Sequence, residues 1–302
     1  MLLSIDIGGT SAKMGFLTRH HTEIYGKREV PVDFDGYRTP IMETVLQAAC
    51  DMLKECPEEP EGIAVSATGQ IDDKTGTVIG TNGKIPHYEG VCIGGMLEER
   101  FHLRCMVIND ANAAALGECA KGRAKGLKDV IMVTLGTGVG GGIVIGGRLY
   151  QGRRGIAGEL GHFTLYQDGP KCTCGKRGCY ESYASATALV RAAERETGEH
   201  GLSGREIFRR VQAGDGVLQK VLNLYLDDVA AGITGLVHIF SPEMVVIGGG
   251  ISQQEKLLMA PLRRKVLDGC MPRFREGLQI ERAVLGNDAG MIGAGEYFWQ
   301  TH

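Results

Sequence analysis

The amino-acid sequence predicts an α/β protein, and two observations lead to this fold class. Short β-rich runs alternate along the chain with longer stretches of helical periodicity, which is the order expected of strands and helices packed in layers. Glycine is also enriched, with 46 of 302 residues, roughly twice its ordinary share. The glycines cluster in short runs between apolar segments, a pattern typical of backbone turns and ligand loops.

One device, a strand followed by a glycine turn and a returning strand, occurs twice. The first copy has a strand at Leu2–Ile7, the turn Gly8-Gly9-Thr10-Ser11 and a strand at Lys13–Leu17. The second runs from Asp129 to Leu135, through the glycine-rich run 136–142, and returns at 143–145. This internal repeat predicts two related halves that face each other across a cleft.

The other elements follow from periodicity and capping residues. Helices are predicted at 39–54, 96–101, 111–120, 182–197, after the capping box at 203–206, at 215–240 and at 289–299. Strands are predicted at 62–67, 105–108 and 245–247, and Asp110 is predicted to cap the helix that follows it. The predicted domains are a smaller N-terminal domain of residues 1–120, completed by a helix at 288–302, and a larger domain of 121–287.

Composition and charge exclude several classes of function. The net charge of -3 and the pI near 6.3 argue against a nucleic-acid-binding surface, which normally carries a basic excess, and favour a small neutral or anionic partner. An aspartate at position 6 interrupts the apolar start, so we expect no signal peptide. No apolar stretch approaches the length of a membrane span. We therefore expect a cytoplasmic protein, in which the cysteines outside the 172–179 region are buried reduced thiols.

A cluster of metal-ligand residues is the most informative feature of the chain. His162, Cys172, Cys174 and Cys179 offer one imidazole and three thiolates, a set that suits a closed tetrahedral Zn²⁺ site. A cysteine pair alone is more often simply buried, and a lone histidine is usually a hydrogen-bonded core residue. Four ligands with intervening glycines favour structural zinc.

The second glycine run contains Gly136-x-Gly138-x-x-Gly141 and formally satisfies the dinucleotide-binding fingerprint. That fingerprint requires a helix directly after the glycines, and a second strand follows here. Either glycine hairpin alone could be a turn without a ligand. Both together favour backbone N–H groups that bind phosphate oxygens.

Two aspartates stand at the ends of apolar strands. Asp6 precedes the first glycine turn, where it could cap the turn through its side chain; we favour a role in orienting hydrated Mg²⁺ beside nucleotide phosphates. Asp110 follows a buried strand and opens a helix, whose N-terminus would keep the carboxylate ionised. With Asn109, Glu159, His162 and Glu181, Asp110 suggests a pocket rich in acceptors for sugar hydroxyls.

At these residues the chain resembles the ROK family of repressors, open reading frames and sugar kinases. The motifs that carry the resemblance are Asp6-Ile-Gly8-Gly9-Thr10, Asn109-Asp110-Ala-Asn112-Ala-Ala, Leu135-Gly136-Thr137-Gly138-Val-Gly140-Gly141, Glu159-Leu-Gly-His162, the cysteine cluster through Glu181, and Ile247-Gly248-Gly249-Gly250-Ile251. They cover essentially the whole chain. The resemblance implies the two-domain actin-like ATPase (ribonuclease H-like) fold with an interdomain cleft, and a homodimer.

The resemblance also implies roles for particular residues. Asp110 would be the catalytic base for the sugar 6-hydroxyl. The sugar would be held by Gly69, Asn109, Asp110, Glu159, His162 and Glu181. The ATP phosphates and adenosine would be bound through Asp6, Gly8, Gly9, Thr10, Gly136, Thr137, Gly138, Gly140, Gly248, Gly249 and Gly250. Zinc ligation would use one nitrogen of His162 and leave the other within reach of the sugar.

The chain departs from the family pattern in three places. Ser11 and Ala12 separate the first glycine-threonine pair from Lys13, so this lysine is not assigned to ATP. The sugar loop reads Thr68–Asp72 without the usual Pro-Gly, and the usual aromatic segment reads Lys84–Tyr88. The last two changes fall where substrate identity would be decided, which leaves glucose, N-acetylmannosamine, N-acetylglucosamine and related sugars open.

The predicted function is ATP-dependent phosphorylation of a hexose or N-acetylhexosamine, glucose or N-acetylmannosamine first, at the 6-hydroxyl, with Mg²⁺ and structural Zn²⁺. One alternative is a sugar-responsive transcriptional regulator, which needs a helix-turn-helix before the first hairpin, whereas this hairpin begins at Leu2. A second is a non-catalytic sugar-binding protein, against which Asp6, Asp110 and both glycine turns argue.

Overall fold

The structure is a computed structural model that describes residues 1–19, 23–81, 83 and 85–301. Its strands are β1 (Leu2–Ile7), β2 (Ser11–Leu17), β3 (Tyr25–Pro31), β4 (Gly62–Ala67), β5 (Gln70–Asp72), β6 (Thr77–Gly80), β7 (Cys105–Asn109), β8 (Val130–Leu135), β9 (Val139–Ile145), β10 (Arg148–Leu149), β11 (Met244–Gly248) and β12 (Gln279–Arg282). Its α-helices are α1 (Ile41–Lys54), α2 (Ile93–Phe101), α3 (Asp110–Lys121), α4 (Glu181–Ala184), α5 (Ala186–Thr197), α6 (Gly204–Gln212), α7 (Gly216–Phe240), α8 (Ala260–Gly269), α9 (Pro272–Arg275) and α10 (Ala289–Gln300). None of the helices among the described residues is long and apolar enough to cross a membrane.

The two large sheets have the same plan, which confirms the predicted α/β class. The first has the strand order β3-β2-β1-β4-β7, and the second has the order β10-β9-β8-β11-β12. In the first, β1, β2 and β3 pair antiparallel, whereas β4 and β7 join β1 in parallel. In the second, β9 and β10 pair antiparallel and β8, β11 and β12 are parallel. A hairpin followed by parallel crossovers is thus repeated, as the glycine-turned hairpins predicted.

The chain divides into two compact units. The first contains residues 1–128, 142–158 and 284–302, and the second contains residues 129–141 and 159–283. The predicted domain division at 120 and 288 stays a prediction, and the units differ from it mainly at 142–158. The reason is local packing, because Gly142 of β9 lies against Ala115 and Asn112 of α3 so closely that a side chain would overlap them.

The first sheet is buried on both faces, because alternate residues of β1 point to opposite sides. Leu3, Ile5 and Ile7 pack with α1 and α2 in one core cluster. On the other face, Leu2 packs with residues of α10 in a second cluster, and the Ser4 hydroxyl donates to the Met291 carbonyl at 2.8 Å. Helix α10 therefore completes the first unit, although it is remote from the rest of that unit in sequence.

Helices α3 and α10 approach each other through glycine. A Cβ at Gly293 would overlap the carbonyl oxygen of Ala113, and one at Gly117 would lie 2.5 Å from the carbonyl oxygen of Ala289. The helices can keep this distance only because both positions lack a side chain. The helix that begins with Asp110 is thereby fixed along its length.

A buried carboxylate of α3 also binds the backbone just before α10. Glu118 is fully buried, and its oxygens accept the backbone N–H groups of Arg123 at 2.7 Å, Val284 at 2.7 Å and Leu285 at 2.8 Å. Three donors are the compensation that a buried carboxylate requires. The sequence analysis missed this residue because two of its three partners lie 166 and 167 residues away along the chain.

The core of the second unit forms around α7. The ring of Tyr180 stacks on Phe163 at 5.0 Å between centroids, and the Tyr180 hydroxyl donates to the Val229 carbonyl at 2.8 Å. Gly232 of α7 lies directly against this ring. The cysteine-containing segment is thus packed onto the longest helix of the chain.

Several predicted elements differ in detail. The helix predicted at 182–197 is two helices, because Ser185 is extended (φ -73, ψ 157) and its hydroxyl caps α5 by accepting the Ala188 N–H. The second glycine turn is shorter than predicted, since residues 139–142 belong to β9. The Ser203 hydroxyl accepts the Glu206 N–H, but the Glu206 carboxylate binds Arg209 instead of closing a capping box. Lys84, part of the predicted substrate-determining segment, lies outside the described residues.

Candidate functional site

The predicted site residues of the first unit lie at the ends of three neighbouring strands, at one edge of its sheet. Ile7 of β1 is aligned with Ala67 of β4, which is aligned with Asn109 of β7. Because these strands are parallel, the loops at 8–10 and 68–69 and the start of α3 all follow strand ends at that edge. The carboxyl ends of parallel strands are where ligands bind in open α/β sheets.

Asn109, not Asp110, is the N-cap of α3, which corrects the predicted cap. Its Oδ1 accepts the N–H groups of Ala111 at 2.9 Å and Asn112 at 3.1 Å. Asp110 is the first helical residue, and its Oδ1 accepts the Ala111 N–H at 2.8 Å and the Asn109 amide at 3.0 Å. The amide of Asn109 therefore fixes the orientation of the carboxylate beside it.

The same amide holds the predicted sugar loop. Asn109 Nδ2 donates to the carbonyl oxygen of Gly69 at 2.8 Å. Gly69 has φ +95, and a Cβ there would lie 2.9 Å from the carbonyl oxygen of Gly80. Only glycine fits this conformation and this space, so Gly69, Asn109 and Asp110 form one connected group.

Asp6 lies on the α10 face of the first sheet. Its Oδ1 accepts the Ser66 hydroxyl at 2.6 Å, and a Cβ at Gly290 in the first turn of α10 would lie 2.7 Å from that oxygen. Burial raises the pKa of Asp6, opposed by the Ser66 hydrogen bond and by Lys13, which faces Asp6 across the hairpin. Ser66 carries no sequence signal, because its partner is 60 residues away.

The first glycine turn is closed by its own backbone. Gly8 N–H donates to the Ser11 carbonyl at 3.0 Å. The Tyr37 hydroxyl donates to the Gly9 carbonyl at 2.6 Å, and the Val32 N–H donates to the Thr10 carbonyl at 2.9 Å. The predicted phosphate-binding residues are thus held in place by groups outside the turn.

Tyr88 is a residue of this region whose hydroxyl the sequence analysis did not single out. It is 2% exposed and packs in the same core cluster as Ile71 and Val78 of the β5–β6 hairpin. Its Oη is buried and has no hydrogen-bond partner among the described residues. Burial first, and the nearby charge of Asp110 second, raise the pKa of Tyr88.

The second unit places two glycine turns at the ends of neighbouring parallel strands. Residues 136–138 follow β8, and residues 249–250 follow β11, which ends at Gly248. A Cβ at Gly249 would lie 2.6 Å from the carbonyl carbon of Leu135. Gly249 therefore lies against the end of β8, which brings the two turns close together, as a nucleotide site built from both would require.

The turn at 136–138 leaves backbone donors for a ligand. Its own bond runs from the Gly136 N–H to the Gly138 carbonyl at 3.0 Å. The N–H groups of Thr137 and Gly138 make no hydrogen bond with any residue that the structure describes. Successive N–H groups of this kind bind anions. Gly140 lies in β9 and is not part of the turn.

The four predicted zinc ligands come together. One ligand atom from each of His162, Cys172, Cys174 and Cys179 lies within 4.8 Å of all the others. The Cys174 and Cys179 sulfurs are 3.6 Å apart, and the Cys172 sulfur is 3.7 Å from Nδ1 of His162. Ligands at zinc distances on a tetrahedron are separated by about 3.6–3.8 Å, so the donor set and its spacing fit Zn²⁺.

The acidity of the thiols is consistent with a metal-binding cluster. Burial opposes ionisation of Cys172, but hydrogen bonds from the Cys174 N–H, from the neighbouring thiols and from His162 outweigh it and lower its pKa to about 7. Burial, followed by the neighbouring sulfurs, raises the pKa of Cys179 to about 12. Three thiolates at this spacing need a cation to coexist.

The two nitrogens of His162 face different partners. Nδ1 faces Cys172, whereas Nε2 lies 3.9 Å from a carboxylate oxygen of Glu159. A zinc ligand bound through Nδ1 would therefore have its other nitrogen directed toward an acidic group, which fixes the tautomer. Both residues were predicted to bind sugar, and their contact with each other was not predicted.

Glu181 lies between the cysteine cluster and the glycine turn. Its Oε2 accepts the Val139 N–H at 2.9 Å, and its Oε1 accepts the Thr173 hydroxyl at 3.4 Å and lies 4.0 Å from the Cys172 sulfur. A Cβ at Gly138 would overlap the same carboxylate. The sequence analysis predicted a sugar contact for Glu181 and missed these bonds.

The chain is similar to sugar kinases over nearly its whole length. The chain is 35% identical to a glucokinase of Halalkalibacterium halodurans, over 97% of this chain and 93% of that protein. It superimposes on a ROK hexokinase from Thermus thermophilus with a TM-score of 0.85 and 33% identity, covering 99% and 98% of the two chains. A ROK glucokinase from Streptomyces griseus, solved with glucose and AMPPNP, gives a TM-score of 0.79 and 32% identity, with 97% of each chain covered.

The fold and these relatives define an ATP-dependent sugar kinase with the two-domain actin-like ATPase fold. A family model matches residues 2–301. The chain belongs to the ROK family, as the sequence motifs indicated.

Proposed function

We propose that the protein phosphorylates a hexose at its 6-hydroxyl with ATP, and that glucose is the first sugar to test. The observation that supports this most directly is the group formed by Asp110, Asn109 and Gly69, in which a carboxylate is oriented beside a glycine-shaped loop. The Streptomyces griseus relative, solved with glucose and a nucleotide analogue, supports the choice of sugar. N-acetylmannosamine, predicted alongside glucose, belongs in the same test.

In the proposed reaction, Asp110 accepts the proton of the 6-hydroxyl as the hydroxyl oxygen attacks the γ-phosphorus. The bond from that phosphorus to its bridging oxygen breaks, and ADP leaves. Phosphoryl transfer depends mainly on positioning and charge stabilisation, and the Asn109 amide supplies part of that positioning for Asp110. The proposal requires Asp110 and the predicted sugar-binding side chains Glu159, His162 and Glu181 to act on one sugar molecule.

The nucleotide is proposed to bind through backbone groups. The N–H groups of Thr137 and Gly138 suit phosphate oxygens, and the turn at 248–250 is proposed to lie near adenosine. Gly8, Gly9, Thr10 and Gly140 remain predicted members of this site. Asp6, a single carboxylate beside the first turn, suits hydrated Mg²⁺. Bound Mg²⁺ would offset the charge of the phosphates.

The thiolate and imidazole cluster is proposed to hold a structural Zn²⁺. Its support is the four ligand atoms within 4.8 Å of one another. Bound zinc would hold the segment from Glu159 to Glu181 in one conformation, without a part in the chemistry. A homodimer and a cytoplasmic location are also proposed; the family resemblance supports the first, and nine free cysteines support a reducing compartment.

A sugar-responsive regulator and a non-catalytic sugar-binding protein are the two alternatives. The glucokinase relatives and the oriented Asp110 carboxylate favour the kinase over both. Operator binding by the purified protein would revive the first. Sugar binding without ATP consumption would revive the second.

The test is a coupled ATP assay over a panel of hexoses and N-acetylhexosamines, with zinc measured on the same sample. Asp110→Asn should lower kcat by about 10²–10⁴-fold, the usual contribution of a positioned base. Asp268→Asn, at an exposed carboxylate of α8 outside the predicted site residues, is the matched control and should keep full turnover. A folded Asp110→Asn protein with near-normal turnover would refute the role of Asp110.

A further inference from the structure

The glycine turn at 136–138, together with Val139 after it, is contacted on both sides by one short segment, residues 181–187. The Ala186 N–H donates to the Gly136 carbonyl at 2.8 Å, and the Thr187 hydroxyl donates to the Thr137 carbonyl at 2.8 Å. These two bonds come from the first turn of α5. They fix the carbonyl side of the turn.

Glu181 fixes the other side. Its carboxylate accepts the Val139 N–H at 2.9 Å and lies so close to Gly138 that any side chain there would displace it. Each residue of the turn thus meets a group of the 181–187 segment. With the carbonyl groups and the Val139 N–H committed, the Thr137 and Gly138 N–H groups are the donors that remain.

The break between α4 and α5 makes this arrangement possible. Ser185 is extended and fully buried, so Glu181 lies on one short helix and Ala186 and Thr187 begin the next. In one continuous helix of 3.6 residues per turn, Glu181, Ala186 and Thr187 would point in different directions around a single axis. Two helices that meet at Ser185 can instead contact both sides of one turn.

We propose that the segment 181–187 sets the phosphate-binding conformation of the glycine turn, with Glu181 and Thr187 as its positioning residues. The inference rests on the proposed function, in which this turn binds ATP phosphates. Glu181 also contacts Thr173 and Cys172, so the segment joins the cysteine cluster to the nucleotide. The cluster then supports nucleotide binding as well as the sugar.

Thr187→Val is the variant that tests this, since it removes the hydroxyl and keeps the shape. The affinity for MgADP, measured by calorimetry without sugar on protein with full zinc content, should fall about two- to tenfold, the range for one neutral hydrogen bond. Thr187→Ser keeps the hydroxyl and should restore wild-type affinity. Thr197→Val removes a hydroxyl at the far end of the same helix, which donates to the Ala193 carbonyl and accepts the Glu199 N–H, and it should leave MgADP affinity unchanged.

A second variant is needed in case Thr187→Val does not fold. Glu181→Gln keeps the size of the side chain but removes its charge, and it should also weaken MgADP binding in the absence of sugar. If Glu181 acts on the sugar alone, MgADP affinity stays at the wild-type value. Wild-type affinity in both Thr187→Val and Glu181→Gln would overturn the inference, whereas a wild-type protein that binds no MgADP would overturn the proposed function itself.

Discussion

Replacement of Gly293 by alanine should destabilise the first unit strongly, because it forces α3 and α10 apart. The new Cβ would overlap the Ala113 carbonyl oxygen and would lie 2.5 Å from the Ala113 carbonyl carbon and 2.9 Å from Gly117 N, whereas ordinary contact begins near 3.4 Å. All three atoms are backbone, so no side-chain rotation relieves the overlap. The helices must separate by more than about 1 Å, which forfeits at least about a quarter to a half of the dispersion energy of each contact.

Overpacking of this kind costs up to about 3 kcal/mol, and more where backbone must move. Alanine also returns about 1 kcal/mol of helix propensity. The net loss should be about 2 kcal/mol or more, which corresponds to a melting temperature at least about 4 °C lower. Because α3 begins with Asp110, turnover should also fall at temperatures where the protein remains folded.

Thermal unfolding followed by circular dichroism measures the effect, with Gly235→Ala as the matched control. Gly235 lies in α7, and a Cβ there would meet open space, so this variant should be unchanged or slightly more stable. Gly117→Ala tests the opposite helix, and the double variant with Gly293→Ala should cost less than the sum of the two, since one separation relieves both overlaps. A Gly293→Ala protein that melts with the wild type would refute the argument.

Three further predictions follow from other parts of the structure. Cys172→Ser should lose zinc by elemental analysis and weaken both sugar binding, by about fivefold, and thermal stability; zinc-free protein with unchanged sugar affinity would refute the structural role of the cluster. Tyr88→Phe removes a buried hydroxyl without a partner among the described residues, so the free energy of unfolding should stay constant or rise by up to about 1 kcal/mol, and a clear loss in urea unfolding would show a missed partner. The backbone hydrogen bond from Leu218, and then Arg210, lower the pKa of Asp215 below its ordinary 3.8. The wild type should therefore be more stable than Asp215→Asn above about pH 4, and this difference should vanish as the pH falls through the pKa of Asp215 in the folded protein. Equal melting temperatures of the two proteins at pH 7 would contradict this.

The elements that could be predicted from the sequence are those with a strong local pattern. The buried strands β1, β4, β7, β8 and β11 and the helices α1, α2, α3, α7 and α10 have such patterns, and their positions were predicted to within a few residues. Helix α8 was not predicted. Strand β3 was missed because Tyr-Gly-Lys-Arg-Glu-Val-Pro is largely exposed and charged. Its strand conformation comes from pairing with β2 and not from its own residues.

The candidate site shows the same limit. The ligand cluster and the glycine turns were predicted because their residues are close in sequence and their chemistry is specific. The direction of each side chain depends on contacts between distant residues, such as Glu181 with Val139 and Asp6 with Ser66. Such pairs depend on strand register and helix breaks, which a single sequence does not encode in any local pattern.

The order in which the first unit is assembled has a consequence for synthesis of the chain. Domains tend to fold as units while the ribosome releases them from the N-terminal side, but α10 follows all of the second unit in the chain. Until α10 emerges, α3 lacks its partner helix, and the face of the first sheet that packs against α10 is exposed. The second unit can therefore fold before the first is complete. A chain interrupted before residue 284 would contain the cysteine-containing segment but lack α10, and we expect it to be inactive and open to proteolysis.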